Sequence, residues 1–173
     1  MKLYVTHCEA GKNSGILAPQ DMYKSPRIQR FVEKCESRSC PWAILSAKYG
    51  LFFPDERKPD YDVTLKRRQQ NFNYFLNIRV EVGKDGKSLG REESKSHVVT
   101  LASEIRNQLR AREIDQVIFY VGGRRPDAYI ALLHYAVDEC DSLPAGRANL
   151  EPHLQTCTKG SRIKLIKYLD QIA

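Results

Sequence analysis

Three short apolar runs, separated by stretches whose apolar residues recur every three or four positions, set the reading of this chain. Leu3-Tyr-Val-Thr-His-Cys8 alternates, with Leu3 and Val5 on one side. Trp42-Ala-Ile-Leu-Ser-Ala47 is continuous and bounded by Pro41 and Lys48, the pattern of a buried strand. Gln116-Val-Ile-Phe-Tyr-Val121 is the third such run. Between the first two, Ile28, Phe31, Val32 and Cys35 recur at helical spacing after Ser25-Pro26, a hydroxyl cap with proline at the first turn, and the helix ends near 36–38. Val98, Leu101, Ile105 and Leu109 predict a helix from Ser94 or Ser96 to about Arg112, and another follows over about 126–140. Thr64 is a cap candidate for a helix from Leu65 to about Leu76, opened by Lys66, Arg67 and Arg68. Ile163, Ile166 and Leu169 predict a short amphipathic helix in the tail after Ser161. Ile78-Arg-Val-Glu-Val82 alternates and Gly83 to Gly86 is a turn, so residues 78–91 read as a hairpin or a flexible insertion.

Strand-helix alternation of this kind predicts an α/β fold: one three-layer domain over residues 1–173, with a small, mainly parallel sheet of three or four strands and helices on both sides. Right-handed crossovers place the first strand between the second and third. Ligands of such sheets bind outside the carboxyl ends of the strands. Those ends deliver His7, Cys8 and Glu9, then Ser46, Lys48 and Tyr49, then Gly122, Gly123, Arg124, Arg125 and Asp127. Gly50 permits a turn after the second strand, and Pro54 and Pro59 stiffen a loop that returns Tyr61 and Asp62 toward the same edge.

Composition adds charge to this picture. The net charge of +7 and pI near 9.2 favour a polyanionic partner, DNA or RNA, through steering and counterion release. No apolar run approaches the length of a membrane span and the N-terminus lacks a signal-peptide core, so no membrane partner and a cytoplasmic location are expected. Cys8, Cys35, Cys40, Cys140 and Cys157 form an odd, irregular set that reads as reduced thiols. No metal motif, catalytic triad or complete nucleotide fingerprint is present, and no cofactor is implied. The Gly11–Gly15 loop, with Lys12 inside it, lacks the spacing of a phosphate loop.

Carboxylates, a lysine and aromatics gathered at one edge suit work on a base. The candidate catalytic residues are Glu9, Asp21, Lys48 and Asp62: a carboxylate can activate water or stabilise positive charge on a sugar, and a lysine can act as an activated amine. Candidate substrate-binding residues are Tyr23, Ser46, Tyr49, Tyr61, Gly122, Gly123, Arg124 and Arg125. For each there is a plainer alternative: Lys48 and Tyr49 as a solvated strand end, Asp62 as a cap or loop brace, Cys8 as a core thiol.

Leu45-Ser-Ala-Lys-Tyr-Gly-Leu51, Pro54 and Tyr61-Asp-Val-Thr-Leu65 resemble a bacterial and phage family of unknown function that shares an LSAKYGL segment followed by YD-x-TL. Ala18-Pro-Gln-Asp-Met-Tyr-Lys-Ser25 is similar to that family's segment before its first helix, and Val121-Gly-Gly123 with Tyr129 is similar to the end of its last strand. The ordered pattern also looks distantly similar to the core domain of archaeosine synthase, which acts on a 7-deazaguanine base in tRNA, and to the uracil-DNA glycosylase superfamily. Residues 78–91 depart from the family pattern. The resemblance implies a uracil-DNA glycosylase-like fold and a nucleic-acid-directed enzyme acting on a nucleobase, modified or unmodified, or on its N-glycosidic bond. A non-catalytic nucleic-acid-binding module and a small-molecule nucleotide enzyme are the alternatives.

Overall fold

The computed structural model describes residues 1–67, 78–123, 126–138 and 161–173. In chain order the elements are β1 (Lys2–His7), β2 (Ile16–Leu17), α1 (Pro19–Met22), α2 (Pro26–Ser37), β3 (Trp42–Ser46), β4 (Gly50–Phe52), β5 (Lys58–Pro59), β6 (Val63–Arg67), β7 (Ile78–Val82), β8 (Lys87–Ser88), α3 (Arg91–Ala111), β9 (Gln116–Tyr120), α4 (Asp127–Asp138) and β10 (Ile163–Ile166). The main sheet has the order β10-β9-β1-β3-β4. Its first four strands are parallel and β4 runs antiparallel on the β3 edge. The fold is α/β, and β1 lies between β3 and β9 as the crossover rule requires.

Side-chain parity along β1 assigns the layers. Tyr4 pairs with Trp42, and Thr6 with Tyr120, so these four share a face. Phe31 of α2 stacks on Tyr120 at 5.9 Å and meets Trp42 edge-on, which puts α2 on that face. His7 has the opposite parity to Thr6 and lies against Tyr129 of α4, with ring centroids 5.5 Å apart. The α3 helix joins α4 on this second face, where Ile105 and Gln108 approach the backbone of Gly50. Both faces of the central strands are therefore covered, and Val5, Ala43, Leu45, Val117 and Phe119 are fully buried.

The structure differs from the sequence-based expectation in four places. The sheet has five strands rather than three or four. The tail segment is strand β10, not a helix, because Ile163 and Ile166 bury on the open edge of β9. Val63–Arg67 is strand β6, not the start of a helix: its whole length pairs antiparallel with β7, and Leu65 is buried while Lys66 is exposed. The remainder of that expected helix lies outside the described residues. Ser25 occupies the N-cap of α2 without a side-chain capping bond; its hydroxyl lies near Glu9 and helps to lower that carboxyl's pKa. Residues 78–88 form an antiparallel hairpin whose Ile78 and Val80 are buried, with β7 packed on α3.

Two tethers hold the sheet margins. The Gln108 amide accepts a bond from Leu51 N at 2.7 Å and donates to the carbonyls of Tyr49 and Leu51. Gly50 sits below it at φ +73°, where a Cβ would come within 2.7 Å of Gln108 Oε1 and 3.1 Å of Ile105. At the other margin the Asp138 carboxylate accepts bonds from His134 Nδ1, Ser161 Oγ and Arg162 N, tying α4 to the start of β10. Burial alone raises the Asp138 pKa, but the bonds from His134, Ser161 and Arg162 outweigh it and hold the group below the ordinary carboxylate value.

Gly50→Ala is expected to cost about 1–3 kcal/mol of unfolding free energy, from strain and from the displaced Gln108. In a Gln108→Ala background the same change costs less, because part of the clash is already gone; urea melts of the four-variant cycle measure this. A carboxylate with a depressed folded pKa stabilises the fold above its unfolded pKa, and this contribution is lost as pH falls below about 4. Asp138→Asn should therefore lower stability at neutral pH and flatten that acid limb, as read by thermal melts across pH.

Candidate functional site at the strand ends

The carboxyl ends of β1, β3 and β9 meet at one edge, and Arg27 organises the β1 side of it. Its position in the first turn of α2, directly above that edge, lets the guanidinium reach three groups of one strand end. Arg27 Nε donates to Glu9 Oε1 at 2.6 Å, Nη1 to Thr6 Oγ1, and Nη2 to the His7 carbonyl at 2.7 Å. Thr6 Oγ1 donates in turn to the Tyr120 carbonyl at 2.9 Å, linking β1 to β9. Gly122 turns the chain after β9 at φ +67°, and a Cβ there would come within 3.1 Å of Arg27 Cδ. A Cβ on Gly123, which is exposed, would meet nothing within 4 Å among the described residues.

Glu9 is 37 % exposed and Arg27 17 %. Burial by itself raises the Glu9 pKa, but the Ser25 hydroxyl and the bonds and charge of Arg27 more than reverse this, leaving it below the ordinary value. At neutral pH Glu9 is an ionised acceptor. His7 is shifted the other way, to about 3, first by burial and then by the Arg27 charge, with Glu9 opposing only in part. Its ring lies between Phe119 and Tyr129, and Nδ1 is buried without a partner among the described residues. His7 is thus a neutral, half-buried imidazole with its Nδ1 turned inward.

The β3 side is built on hydroxyls. Ser46 Oγ accepts bonds from Lys48 N and Tyr49 N, forming the turn into β4. Tyr23 and Tyr61 share a 2.7 Å hydroxyl bond, with Ser46 beside both. Burial raises the pKa of both tyrosines and of Tyr129, whose hydroxyl lies 3.3 Å from Cys8 Sγ and accepts weakly from Leu65 N. Their hydroxyls stay protonated, so the floor of the site is polar and uncharged. Cys8 follows the last residue of β1, where strand alternation has ended, and so both it and His7 meet Tyr129.

Ser46 and Tyr23 are fully buried and Tyr61 is 5 % exposed, so these residues form the floor. Tyr49 packs edge-on against Tyr61 at 5.2 Å and donates to the Pro59 carbonyl. Lys48 is exposed with Nζ 5.4 Å from the Tyr49 ring centre. Asp62 is exposed just before β6, and its backbone carbonyl accepts a bond from Gly83 N. Asp21 lies in α1, on the rim of an open depression of about 650 Å³ that also includes Asn13, Ser14 and Lys24. Gly122 and Gly123 are at the edge, whereas Arg124 and Arg125 lie outside the described residues. Sequence reasoning passed over Arg27, which reads as one more charge in the first turn of a helix. It also passed over His97, whose Nε2 lies 2.7 Å from the Ala47 carbonyl and braces the turn from α3. Among the described residues no group of three or more His, Cys, Asp or Glu side chains is placed to hold a metal ion, and no helix is long and apolar enough to cross a membrane.

The neutral, half-buried His7 carries a pH signature. The unfolded chain takes up the imidazole proton near pH 6.5 and the folded chain only near 3, so stability falls as pH drops between those values. The loss should be about 3 kcal/mol by pH 4. His7→Phe is expected to keep the aromatic packing and remove this slope, as measured by chemical denaturation from pH 7 to 4.

No curated protein and no solved structure matches the chain. Residues 3–103, which run from β1 into α3 and include Glu9, Arg27, Ser46 and Tyr61, match a known family over more than half of the 173 residues. The chain therefore belongs to DUF6884, a family of unknown function.

Proposed function

We propose that this protein acts on a nucleobase, or on its N-glycosidic bond, presented to the strand-end edge by DNA or RNA. One observation carries the proposal: a carboxylate, Glu9, kept ionised with the help of Arg27 and partly exposed at the end of β1. An ionised carboxylate at this place accepts a hydrogen bond from a base edge or from a water, or stabilises positive charge on a sugar as its bond to the base breaks. Its depressed pKa suits it to these roles and unsuits it to that of a general acid at neutral pH. The Arg27 bond fixes the carboxylate's direction, so the group is oriented before substrate arrives. The neutral tyrosine floor supplies hydroxyl dipoles without a competing charge, and the exposed Lys48 is a cation for phosphate. The distant resemblance of the ordered sequence pattern to the core domain of archaeosine synthase and to the uracil-DNA glycosylase superfamily, read from the sequence alone, points the same way.

Incubation with single-stranded DNA and RNA oligonucleotides, followed by mass spectrometry of the digested strands and of released bases, tests this reading. A changed or released base is expected with the wild type. Glu9→Gln should reduce turnover by roughly 10²–10⁴-fold while oligonucleotide affinity stays within a few-fold. Binding without turnover in the wild type would make the protein a reader of nucleic acid instead. Preference for a mononucleotide over an oligonucleotide would move it to small-molecule chemistry.

A further inference from the structure

Next to the edge, three lysines from three separate segments lie on two adjoining tyrosine rings. Lys12 Nζ is 4.3 Å from the Tyr61 ring centre and 5.8 Å from that of Tyr23. Lys48 Nζ and Lys58 Nζ lie 5.4 and 5.0 Å from the Tyr49 ring centre. The Tyr49 and Tyr61 centres are themselves only 5.2 Å apart. The backbone fixes this arrangement. Lys12 bridges to Tyr23, Lys58 belongs to the β2–β5 ribbon, Tyr49 is bonded to Pro59, and Lys48 sits in the turn closed by Ser46. No carboxylate lies within ion-pair distance of the three ammonium groups among the described residues. Asp60 is the nearby acid; it faces Tyr49, and its Oδ1 accepts a bond from Gly15 N.

Three like charges drawn together raise one another's energy, and a ring face offsets only about 0.5–1 kcal/mol of that per exposed contact. The balance is restored when anions approach. Resting the ammonium groups on ring faces also limits their freedom before a ligand arrives, so less entropy is lost on binding. We propose that Lys12, Lys48 and Lys58 form a phosphate track for a single strand of nucleic acid, leading the chain past Tyr49 to the Glu9–Arg27 edge. A single strand fits because its successive phosphates can follow three cations disposed around one small aromatic surface. This inference rests on the functional reading above, but it concerns the backbone of the strand and not its base.

Salt dependence of binding to a fluorescein-labelled single-stranded oligonucleotide of mixed sequence tests it. Each phosphate contact to a single strand contributes about −0.7 to the slope of log K against log salt. Lys12→Gln/Lys48→Gln/Lys58→Gln should make that slope shallower by about 2 and weaken binding at least tenfold at low salt. The control Lys84→Gln/Lys87→Gln/Lys95→Gln, with the same change in net charge, should leave the slope unchanged. Replacing the three track lysines by arginine should restore it, and equal melting temperatures exclude a folding defect. A slope unaltered in the track variant, or lowered equally in the control, overturns the track while leaving the Glu9 chemistry intact. Loss of Glu9-dependent turnover with the slope change preserved sinks the chemistry and keeps the track. A wild type that binds no oligonucleotide, or that binds polyglutamate with the same lysine dependence, overturns the track as well.

Discussion

Everything at the candidate site depends on β1 having a parallel neighbour on each side. The pairings Tyr4 with Trp42 and with Ile118 put the carboxyl ends of three strands at one level. Parallel strands on both sides also mean that each connection must cross a face of the sheet, which is why α2 and the α3–α4 pair cover opposite sides. The same constraint leaves the carboxyl-end carbonyls and hydroxyls of β1 without a continuing ladder. Arg27 fills that gap: its guanidinium takes up Thr6, the His7 carbonyl and Glu9 together, as a planar fork with several fixed donors can and an ammonium cannot. The pairing geometry of the sheet thereby becomes the orientation of one carboxylate.

The family match divides the molecule in an informative way. It begins in β1 and ends in α3. The Glu9–Arg27 pair, the Ser46 turn, the tyrosine floor and the three track lysines all fall inside it, whereas β9, the Gly122 turn and α4 fall outside. The second group contributes backbone and packing to the site: the Tyr120 carbonyl that receives Thr6, the Gly122 turn against Arg27, the Tyr129 hydroxyl beside Cys8. The charged side chains of the site, among the described residues, thus come from one stretch of chain, and backbone, packing and the Tyr129 hydroxyl from another.

Strands β3 and β9 were legible in the sequence because each is buried on both faces and reads as a nearly continuous apolar run, and β1 was legible from its alternation. Helices α2 and α3 were legible for the complementary reason that each buries one stripe, whereas α4 is buried nearly all round. The failures occur where periodicity is ambiguous. Ile163 and Ile166 stand three apart, a spacing that suits a helical turn, and only the open edge of β9 makes them a strand. In Val63–Arg67 a threonine followed by basic residues imitates a capped helix, while the deciding partner, β7, lies more than ten residues on. Glu9 and Lys48 were visible from their place at strand ends. Arg27 was not, since its role follows from the height of a helix turn above the sheet edge, a tertiary fact with no local signature. Lys58 was hidden for a related reason: it reads as an ordinary loop charge until the ribbon brings it near a tyrosine ring, and Lys12 was legible only as part of a glycine loop whose backbone amides can bind an anion.

The distribution of charge across the site has a physical logic of its own. Its interior holds Tyr23, Tyr61, Tyr129, Ser46 and Cys8, and burial pushes the three phenols up so that none ionises near neutrality. His7, the one interior group that could gain a positive charge, is pushed down to about 3 and stays neutral too. Both shifts have the same cause, the cost of charging a group away from water, and they act in opposite directions on an acid and a base. Ionised groups are consequently confined to the rim, where Glu9, Lys12, Lys48 and Lys58 keep some contact with solvent. A ligand settling against this rim would displace that solvent, and each ion pair or hydrogen bond it made there would strengthen as the local dielectric fell. A polyanion carrying a neutral, hydrogen-bonding base matches both zones at once: phosphates for the ammonium groups, and a base edge for a fixed carboxylate over an uncharged hydroxyl floor.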